Sequence, residues 1–412
     1  MKVLYLHQYF NTPEMMGGTR SYEIGRRLVS YGCQVDMVTS ERDRSNDSPR
    51  AASLWRESTV AGMRVHWVSI PYSNSMGMVK RVMAFLKFAI ASTRKGLSID
   101  ADIVFATSTP LTIAIPAIIV CKAKKIPMVF EVRDLWPELP IAVGALRNPF
   151  LRFLARFLEM QAYRHAEHII ALSPGMKEGV VERGIDAEKV SVISNSADLA
   201  LFQEGRKYRT KQREKMGWLG GRRLVLYAGT LGEINGVSYL VELAAAMRSI
   251  NKNVCFLIVG EGKEKDIVTN KASNLGVLGE NLYIWSGMSK SEMPRLFSAA
   301  DIVASVFLDK PEMRANSANK FFDSLAASKP IFINYGGWQH DLVIKRGVGI
   351  SSWNIAIERA AKLLSDFLED DERLQASSQA AGELARLEFD RDVLAEKAYN
   401  VLRNASGNGS RG

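Results

Sequence analysis

Along most of the chain, apolar positions come in short consecutive runs separated by polar loops and helical patterns. Val3-Leu4-Tyr5-Leu6 is the first such run, and consecutive apolar residues mark a strand buried on both faces. A Gly17-Gly18 loop follows, then an amphipathic helical stretch from Ser21 to Tyr31. The chain later repeats this opening: Leu224-Val225-Leu226-Tyr227 behind Arg222 and Arg223, a loop with Gly229, Gly232 and Gly236, and a helix from Ser238 to Ile250. Further strands are predicted over 102–107, 128–132 and 168–171 in the first half, and over 254–259, 282–285, 302–306 and 331–334 in the second. Strands alternating with helices predict an α/β chain with two Rossmann-like, doubly wound parallel-sheet domains facing a cleft at the carboxyl ends of their strands.

The polar stretch from Asp198 to Gly221, crowded with Arg206, Lys207, Arg209, Lys211, Arg213 and Lys215, reads as a linker and a short basic helix. The expected domains are therefore 1–200 and 201–388, with a last helix over 389–403 and a Gly/Ser-rich tail from Asn404 expected to fray. The length of 412 residues, with 47% hydrophobic and 24% charged positions, fits a folded chain of two or three domains and excludes a disordered, collagen-like or disulfide-stapled one. The longest apolar run, Leu111 to Cys121, contains Pro116 and falls short of the ~20 residues that span a bilayer. The N-terminus reads as a strand, without the pattern of a signal peptide. Cys33, Cys121 and Cys255 lie far apart among apolar neighbours, as expected of reduced, buried thiols in a cytoplasmic protein.

Charge sharpens this picture. The net charge is +10, and between Glu57 and Asp100 no acidic residue accompanies Arg64, Lys80, Arg81, Lys87, Arg94 and Lys95. Met78, Val79, Val82, Phe85, Leu86, Ala89 and Ile90 recur at helical spacing, with Lys80, Lys87 and Arg94 seven apart on another face. Such a basic amphipathic helix suits the surface of an anionic membrane, where each cation contributes about 1 kcal/mol. A second amphipathic stretch, Asn148 to His165, interleaves Phe150, Leu151, Phe153, Leu154, Phe157 and Leu158 with Arg152, Arg156 and Arg164. The alternative is that both helices simply pack on their own domain. Nucleic acid is not an expected partner, because no recognition motif is present.

Three local patterns are candidates for chemistry. In Ser317-Ala318-Asn319-Lys320-Phe321-Phe322-Asp323 a polar loop enters a helix, where free backbone N–H groups and Lys320 could hold a diphosphate and Asp323 a ribose diol. In Gly260-Glu261-Gly262-Lys263-Glu264-Lys265, after a strand, glycines let backbone approach a ligand and Lys263 or Lys265 could offset phosphate charge. In Glu131-Val132-Arg133-Asp134-Leu135-Trp136-Pro137-Glu138, also after a strand, Asp134 or Glu138 could orient an acceptor hydroxyl or take its proton. A surface lysine, a solvated turn and a salt-bridged loop are the respective alternatives. The Gly17-Gly18 and Gly229–Gly236 loops do not complete the dinucleotide fingerprint. Asp100-Ala101-Asp102 falls at the amino edge of a strand, and His165 with His168 lacks a third ligand, so no metal site is expected.

Taken in order, His7-Gln8-Tyr9-Phe10, Gly17-Gly18, Arg133-Asp134-Leu135-Trp136-Pro137-Glu138, Ala171-Leu172-Ser173-Pro174-Gly175-Met176, Tyr227-Ala228-Gly229-Thr230-Leu231-Gly232 and Asn319-Lys320-Phe321-Phe322-Asp323 resemble a family. The chain resembles the retaining, nucleotide-sugar-dependent glycosyltransferases of family four, with GT-B architecture, especially the bacterial subset building O-antigen, capsule or colanic acid, and within it the L-fucosamine-type transferases. The resemblance implies an acceptor-binding first domain, a donor-binding second domain, a final helix returning to the first, and no cofactor or obligatory metal. It implies a nucleoside diphosphate sugar as donor, a UDP-sugar first among them, and a lipid-diphosphate-linked glycan as acceptor, with the protein peripheral on the inner face of the cytoplasmic membrane.

By the same resemblance Lys320 and the backbone after Ser317 hold diphosphate beside Asn319, and Asp323 takes the place of a ribose-binding glutamate. Gly17 and Gly18 admit backbone to the phosphates or sugar, and Asp134 with Arg133 stands where many members keep a His-Asp pair. Departures are visible. The motif's first glutamate falls at Ala315, leaving Asn316 or Ser317 to read the sugar. Thr230 and Asn235 replace a basic pair, which shifts phosphate charge to Lys263, Lys265 and Lys320. A nucleotide-sugar 2-epimerase of the same architecture, or a sugar-nucleotide-binding scaffold, stays open, and no feature fixes an oligomeric state.

Overall fold

The computed structural model describes residues 1–15, 17–41, 54–71, 76–142, 144 and 146–407. The last five residues of the tail expected to fray, 408–412, lie outside the described residues, and the final helix, Arg391–Ala405, extends to the residue after Asn404.

The chain divides into two units. The first contains an eight-stranded sheet of β1 (Lys2–Leu6), β2 (Gln34–Glu41), β3 (Trp55–Val60), β4 (Met63–Ser69), β5 (Ile103–Thr107), β6 (Met128–Val132), β7 (His168–Ala171) and β8 (Val190–Val192), in the order β3-β4-β2-β1-β5-β6-β7-β8. Every pairing is parallel except β3 with β4. An all-parallel sheet was the expectation, and the antiparallel edge follows from a two-residue turn. Ala61 and Gly62 both have positive φ, 48° and 81°, the backbone that a tight hairpin requires. The polar β3 has only exposed and half-buried positions, which hides it from a search for buried runs.

The second unit contains β9 (Arg223–Ala228), β10 (Val254–Val259), β11 (Leu282–Trp285), β12 (Ile302–Ser305), β13 (Ile331–Ile333) and β14 (Gly349–Ser351). They form a parallel sheet in the order β11-β10-β9-β12-β13-β14. In each sheet the direction of winding reverses beside the first strand of the unit, at β1 and β9. Doubly wound sheets bind ligands outside the carboxyl ends of strands at that reversal. All six residues of β10 are buried, as helices on both faces require.

The division differs from the expected boundaries. The first unit holds Met1–Thr12, Thr19–Ser194 and the chain from Asp392 on, and the second holds Pro13–Gly18 and Asn195–Arg391. Residues 195–198 belong to the second unit because they are stitched into it. Asn195 Nδ2 donates to the Ser317 carbonyl at 2.6 Å, Ala197 N to the Phe389 carbonyl at 2.8 Å, and Arg391 pairs with Asp198 at 3.3 Å. The final helix packs in the first unit, where Arg27 pairs with Asp392 and Tyr31 lies 5.1 Å from Tyr399.

The basic stretch after Asp198 is no linker. It forms the helices Leu199–Arg206 and Arg209–Glu214. Arg209 Nη1 donates to the Ser298 and Ala300 carbonyls at 2.8 Å each, and Arg213 Nη1 to the Ala299 carbonyl at 2.8 Å. Those carbonyls end the helix Met293–Ala299, where cations complement the negative pole of the helix dipole. Both arginines also pair with Asp301, whose Oδ2 accepts from Leu224 N at 2.8 Å and so fixes the start of β9.

Candidate functional site

In the second unit, the helix Asn319–Ala326 begins after the loop that follows β12, and no side chain caps its first turn. Its leading N–H groups therefore stay available to an anion. Lys320, at the second helical position, is buried, with Nζ 4.1 Å from the Phe307 ring centroid and 5.1 Å from that of Tyr227. Burial alone pushes its pKa down to about 7, the response of an ammonium that has left water without a counter-charge. An anion placed here would restore the positive form. Ser317, just before the helix, is tied to Asn195 through its carbonyl and, at 3.3 Å, through its hydroxyl oxygen. Asn319 is exposed at the helix start.

One turn further, Asp323 faces a partner that the sequence did not suggest. Its Oδ1 accepts from Lys290 Nζ, and both side chains are largely buried. The carboxylate expected for a ribose diol is thus half-engaged by a lysine from the polar loop after β11, a loop with no motif to mark it. Lys290 also lies 5.2 Å from the Phe202 ring.

The glycine loops prove to be structural first. A Cβ on Gly260 would come 1.9 Å from the Gly229 carbonyl oxygen, and one on Gly262 2.1 Å from that of Leu231. The two loops clasp each other through Leu231 N to the Glu261 carbonyl and Glu264 N to the Leu231 carbonyl, each 2.9 Å. These glycines are required for backbone to approach backbone. Thr230 is exposed and its carbonyl accepts from the Tyr227 hydroxyl at 2.8 Å. Lys263 is exposed, whereas Lys265 is neutralised by Glu261 at 2.8 Å. Of the three lysines expected to meet phosphate, Lys265 is already spoken for. In the Pro13–Gly18 segment Gly17 has φ 123°, a backbone that favours glycine, and Gly18 is half-buried.

In the first unit the candidate residues gather at the carboxyl ends of β1, β5 and β6. Glu131, within β6, is fully buried. Arg20 opens the helix Arg20–Ser30 and donates Nε and Nη2 to Glu131 Oε1 at 3.0 and 2.8 Å, Nη1 to the Ser194 carbonyl and Nη2 to that of Ile193. Thr107 donates to Glu131 Oε2 at 2.6 Å. Burial opposes ionisation of Glu131, yet the Arg20 and Arg133 charges hold its pKa below the usual range. This satisfied network fixes the strand ends on which Arg133 and Asp134 stand.

Arg133 Nη1 lies 3.2 Å from His7 Nε2, and Arg133 N donates to Ser108 Oγ at 2.9 Å. Asp134 Oδ2 accepts from Thr109 Oγ1 at 3.0 Å, and desolvation raises its pKa. His7, at the end of β1, brings an imidazole beside Arg133, where the linear sequence offered only an arginine. Neither His7 nor Arg20 had a spacing signal that would have found it.

Glu138 is engaged by two arginines. Burial opposes its ionisation, but Arg156 and Arg183 lower its pKa overall, with Arg183 Nη2 at 2.6 Å. These pairs hold it ionised beside the helix Pro149–His165. Arg183 also reaches Glu159 at 3.6 Å, and desolvation raises the buried Glu159 to about 7. Asp100 and Asp102 are bound to Lys2 at the amino end of the sheet. Among the described residues no group of three or more His, Cys, Asp or Glu could hold a metal ion. Cys33 and Cys255 are buried, but Cys121 is only half-buried, at 3.6 Å from the Pro127 carbonyl.

The basic helix is Met78–Ser98. Its buried side is formed by Ala84, Phe88, Ala89 and Ser92, while Val79, Val82, Leu86 and Ile90 of the expected apolar face are exposed. Small residues decide which side packs, since a Cβ at Gly96 would already meet Val120 at 2.9 Å on the helix Ala114–Lys124. Lys80, Lys87 and Arg94 are exposed, and Arg81 is half-buried. Phe150, Leu151, Phe153, Leu154 and Phe157 of the helix Pro149–His165 are exposed as well. No helix among the described residues is long and apolar enough to cross a membrane.

Comparison with known proteins agrees with this architecture. Residues 17–196 match the glycosyl transferase 4-like domain and residues 208–383 the glycosyl transferases group 1 domain. The chain is 25% identical over 149 residues to the putative colanic acid biosynthesis glycosyl transferase WcaI of Escherichia coli (strain K12), an alignment covering 36% of each, so it spans about a third of that relative's length. Among solved structures, Anabaena Alr3699/HepE in complex with UDP and glucose superposes with a TM-score of 0.71 at 18% identity, over 97% of this chain and 98% of that one. WaaG, a glycosyltransferase involved in lipopolysaccharide biosynthesis, gives 0.68 at 17% identity, over 97% and 99%. Two doubly wound units, each matched by its own family, make the chain a member of the GT-B glycosyltransferases of the family-4-like type.

Proposed function

We propose that the protein transfers a sugar from a nucleoside diphosphate sugar to a lipid-linked glycan acceptor in the building of a cell-surface polysaccharide, without a metal. The observation that carries this reading is Lys320, a buried ammonium at an uncapped helix start whose pKa only desolvation moves. Departure of the diphosphate leaves negative charge on a phosphate oxygen, and preorganised donors in a site shielded from water stabilise developing charge strongly. Lys320 and the first N–H groups of its helix supply such donors. A UDP-sugar is the first donor to test, because Alr3699/HepE was crystallised with UDP.

In the transfer the bond between the anomeric carbon and the phosphate oxygen breaks and a bond from that carbon to the acceptor hydroxyl oxygen forms. The hydroxyl proton passes to the departing phosphate if configuration is retained, as in family four, or to Asp134. Arg133 and His7 orient the first unit's strand ends for the acceptor. The exposed stripe of Lys80, Lys87 and Arg94 attracts the protein to an anionic membrane, where a lipid-linked acceptor resides.

The test is a thermal-shift and transfer assay with UDP-, GDP- and dTDP-sugars, with and without chelator. Stabilisation by one nucleotide class, insensitive to chelator, together with sugar transfer to a lipid-linked glycan supports the reading. Sugar-nucleotide turnover that needs no acceptor replaces it with an epimerase, and binding without turnover replaces it with a scaffold.

A further inference from the structure

Among the described residues, a groove of about 840 Å³ runs along the basic helix Met78–Ser98, walled on the other side by Trp55 at the start of β3, Val68 near the end of β4, and Ile70. That volume lies in the range of sites that enclose small molecules. Its apolar lining from the helix includes Val79, Met83 and Ile90, which are 77%, 50% and 56% exposed. Such exposure of large apolar side chains along one concave surface marks an interaction site.

The polar content of the groove has one sign. Lys80, Lys87 and Arg94 line it, and among the described residues no Asp or Glu does. At 1.5 Å per residue the stripe from Lys80 to Arg94 extends about 21 Å. The neighbouring Lys95 differs, since Glu57 neutralises it at 2.7 Å while it sits 5.7 Å from the Trp55 ring. An occupant must therefore bring a hydrocarbon for the floor and an anion for the rim within one molecule. A nucleic acid has the anion without the hydrocarbon chain, and an apolar peptide the reverse.

We propose that this groove takes the hydrocarbon chain of a lipid phosphate, with the phosphate paired to one cation of the Lys80, Lys87 and Arg94 stripe at the end of the chain. The inference rests on the lipid-linked acceptor proposed above and adds to it a place for the lipid itself, drawn out of the bilayer and laid against the helix. The basic stripe then offers the headgroup a cation beside an apolar trough, and electrostatic adsorption to a flat membrane is a separate effect.

The experiment measures quenching of tryptophan fluorescence by brominated decyl, dodecyl and tetradecyl phosphates, each below its aggregation concentration and without vesicles. Saturable quenching is expected, with affinity rising about fourfold per added methylene as burial of each methylene adds its increment of about 0.8 kcal/mol. The quenching should disappear in Trp55→Phe, which keeps the groove and removes the reporter. Decanol should bind at least about tenfold more weakly than decyl phosphate if charge-assisted pairing contributes. In Ala91→Trp, which fills the groove, affinity should fall.

Three results overturn the proposal: affinity independent of chain length, equal quenching in Trp55→Phe, or binding seen only when anionic vesicles are present. The assay contains no sugar nucleotide. A protein that transfers sugar yet shows no chain-length dependence defeats the groove alone, and one that binds the chains yet turns over no sugar nucleotide defeats the transferase reading alone.

Discussion

The Lys320 ammonium rests 4.1 Å from the centroid of the Phe307 ring. A cation over an aromatic face gains about 0.5–2 kcal/mol, less than the desolvation that drives its pKa to about 7. The lysine is thus held in an environment unfavourable to its charge in the absence of an anion, in the first turn of a helix that no side chain caps. Ground-state discomfort of this kind is what a phosphate relieves.

Replacing Lys320 by Met should lower UDP affinity by about 10- to 100-fold, the ~1.5–3 kcal/mol of a charge-assisted hydrogen bond. Titration calorimetry with UDP checks this. Equal affinity in the variant would remove Lys320 from the donor site.

The same lysine sets a pH dependence. Its pKa falls from 10.5 unfolded to about 7 folded, so between those values the unfolded chain binds more protons and stability rises with pH. The destabilisation is complete below pH 7 and fades as pH approaches 10.5. Lys329, also lowered to about 7 by desolvation, with Nζ donating to the Ser298 and Ala300 carbonyls, adds a second slope of the same sign. Chemical denaturation of wild type and Lys320→Met at pH 7 and pH 9 should show the smaller gain with pH in the variant.

In the first unit the decisive pair is Arg20 and Glu131, 5% and 0% exposed. Removing one partner of such a pair strands a buried charge, at about 3–5 kcal/mol. Glu131→Leu alone should therefore unfold at markedly lower temperature than wild type, and Arg20→Met with Glu131→Leu should be less destabilised than the two single losses added together. Additive losses in a calorimetric double-mutant cycle would show that the residues do not act as a pair.

Much of this architecture was legible in the chain because parallel strands buried on both faces leave unbroken apolar runs, as in β1, β9 and β10. The strands that escaped notice, β2, β3, β8 and β14, are polar, short or at an edge, and in β4 Arg64 and His66 interrupt the apolar positions. Lys320 was legible because a helix start after a polar loop has its own signature. Arg20 and Lys290 were not, and His7 was noticed only within a motif, since each acquires its meaning from a partner over 30 residues away: Glu131, Asp323 and Arg133. The glycines after β10 drew attention for the right conformational reason and the wrong neighbour, because what approaches them is the Gly229–Leu231 backbone.

Glu159 offers a test of opposite sign. Desolvation raises its carboxyl to about 7, and Tyr163 donates to its Oε1 at 3.1 Å. The folded state binds more protons than the unfolded between the ordinary glutamate range and pH 7, so this group takes stability away as pH rises through that window. Glu159→Gln, which keeps the Tyr163 contact, should stabilise the protein by about 1–3 kcal/mol at pH 8 and by little at pH 4.5. A variant no more stable at pH 8 would mean that Arg183, 3.6 Å away, already compensates the charge.

Under the proposed transfer, Asp134 and Lys320 would carry separate roles. Asp134 is anchored by Thr109 in the first unit, with a carboxyl that desolvation raises toward the proton-bound form, the tuning expected of a group that accepts a proton in turnover. Asp134→Asn keeps an oxygen for Thr109 and removes the base. If Asp134 takes the acceptor's proton, kcat should fall by about 10²-fold or more while UDP affinity, assigned by the proposal to the second unit, stays unchanged. If instead the departing phosphate takes the proton, kcat in Asp134→Asn stays near wild type, and the first unit's part in the reaction narrows to holding the acceptor in place.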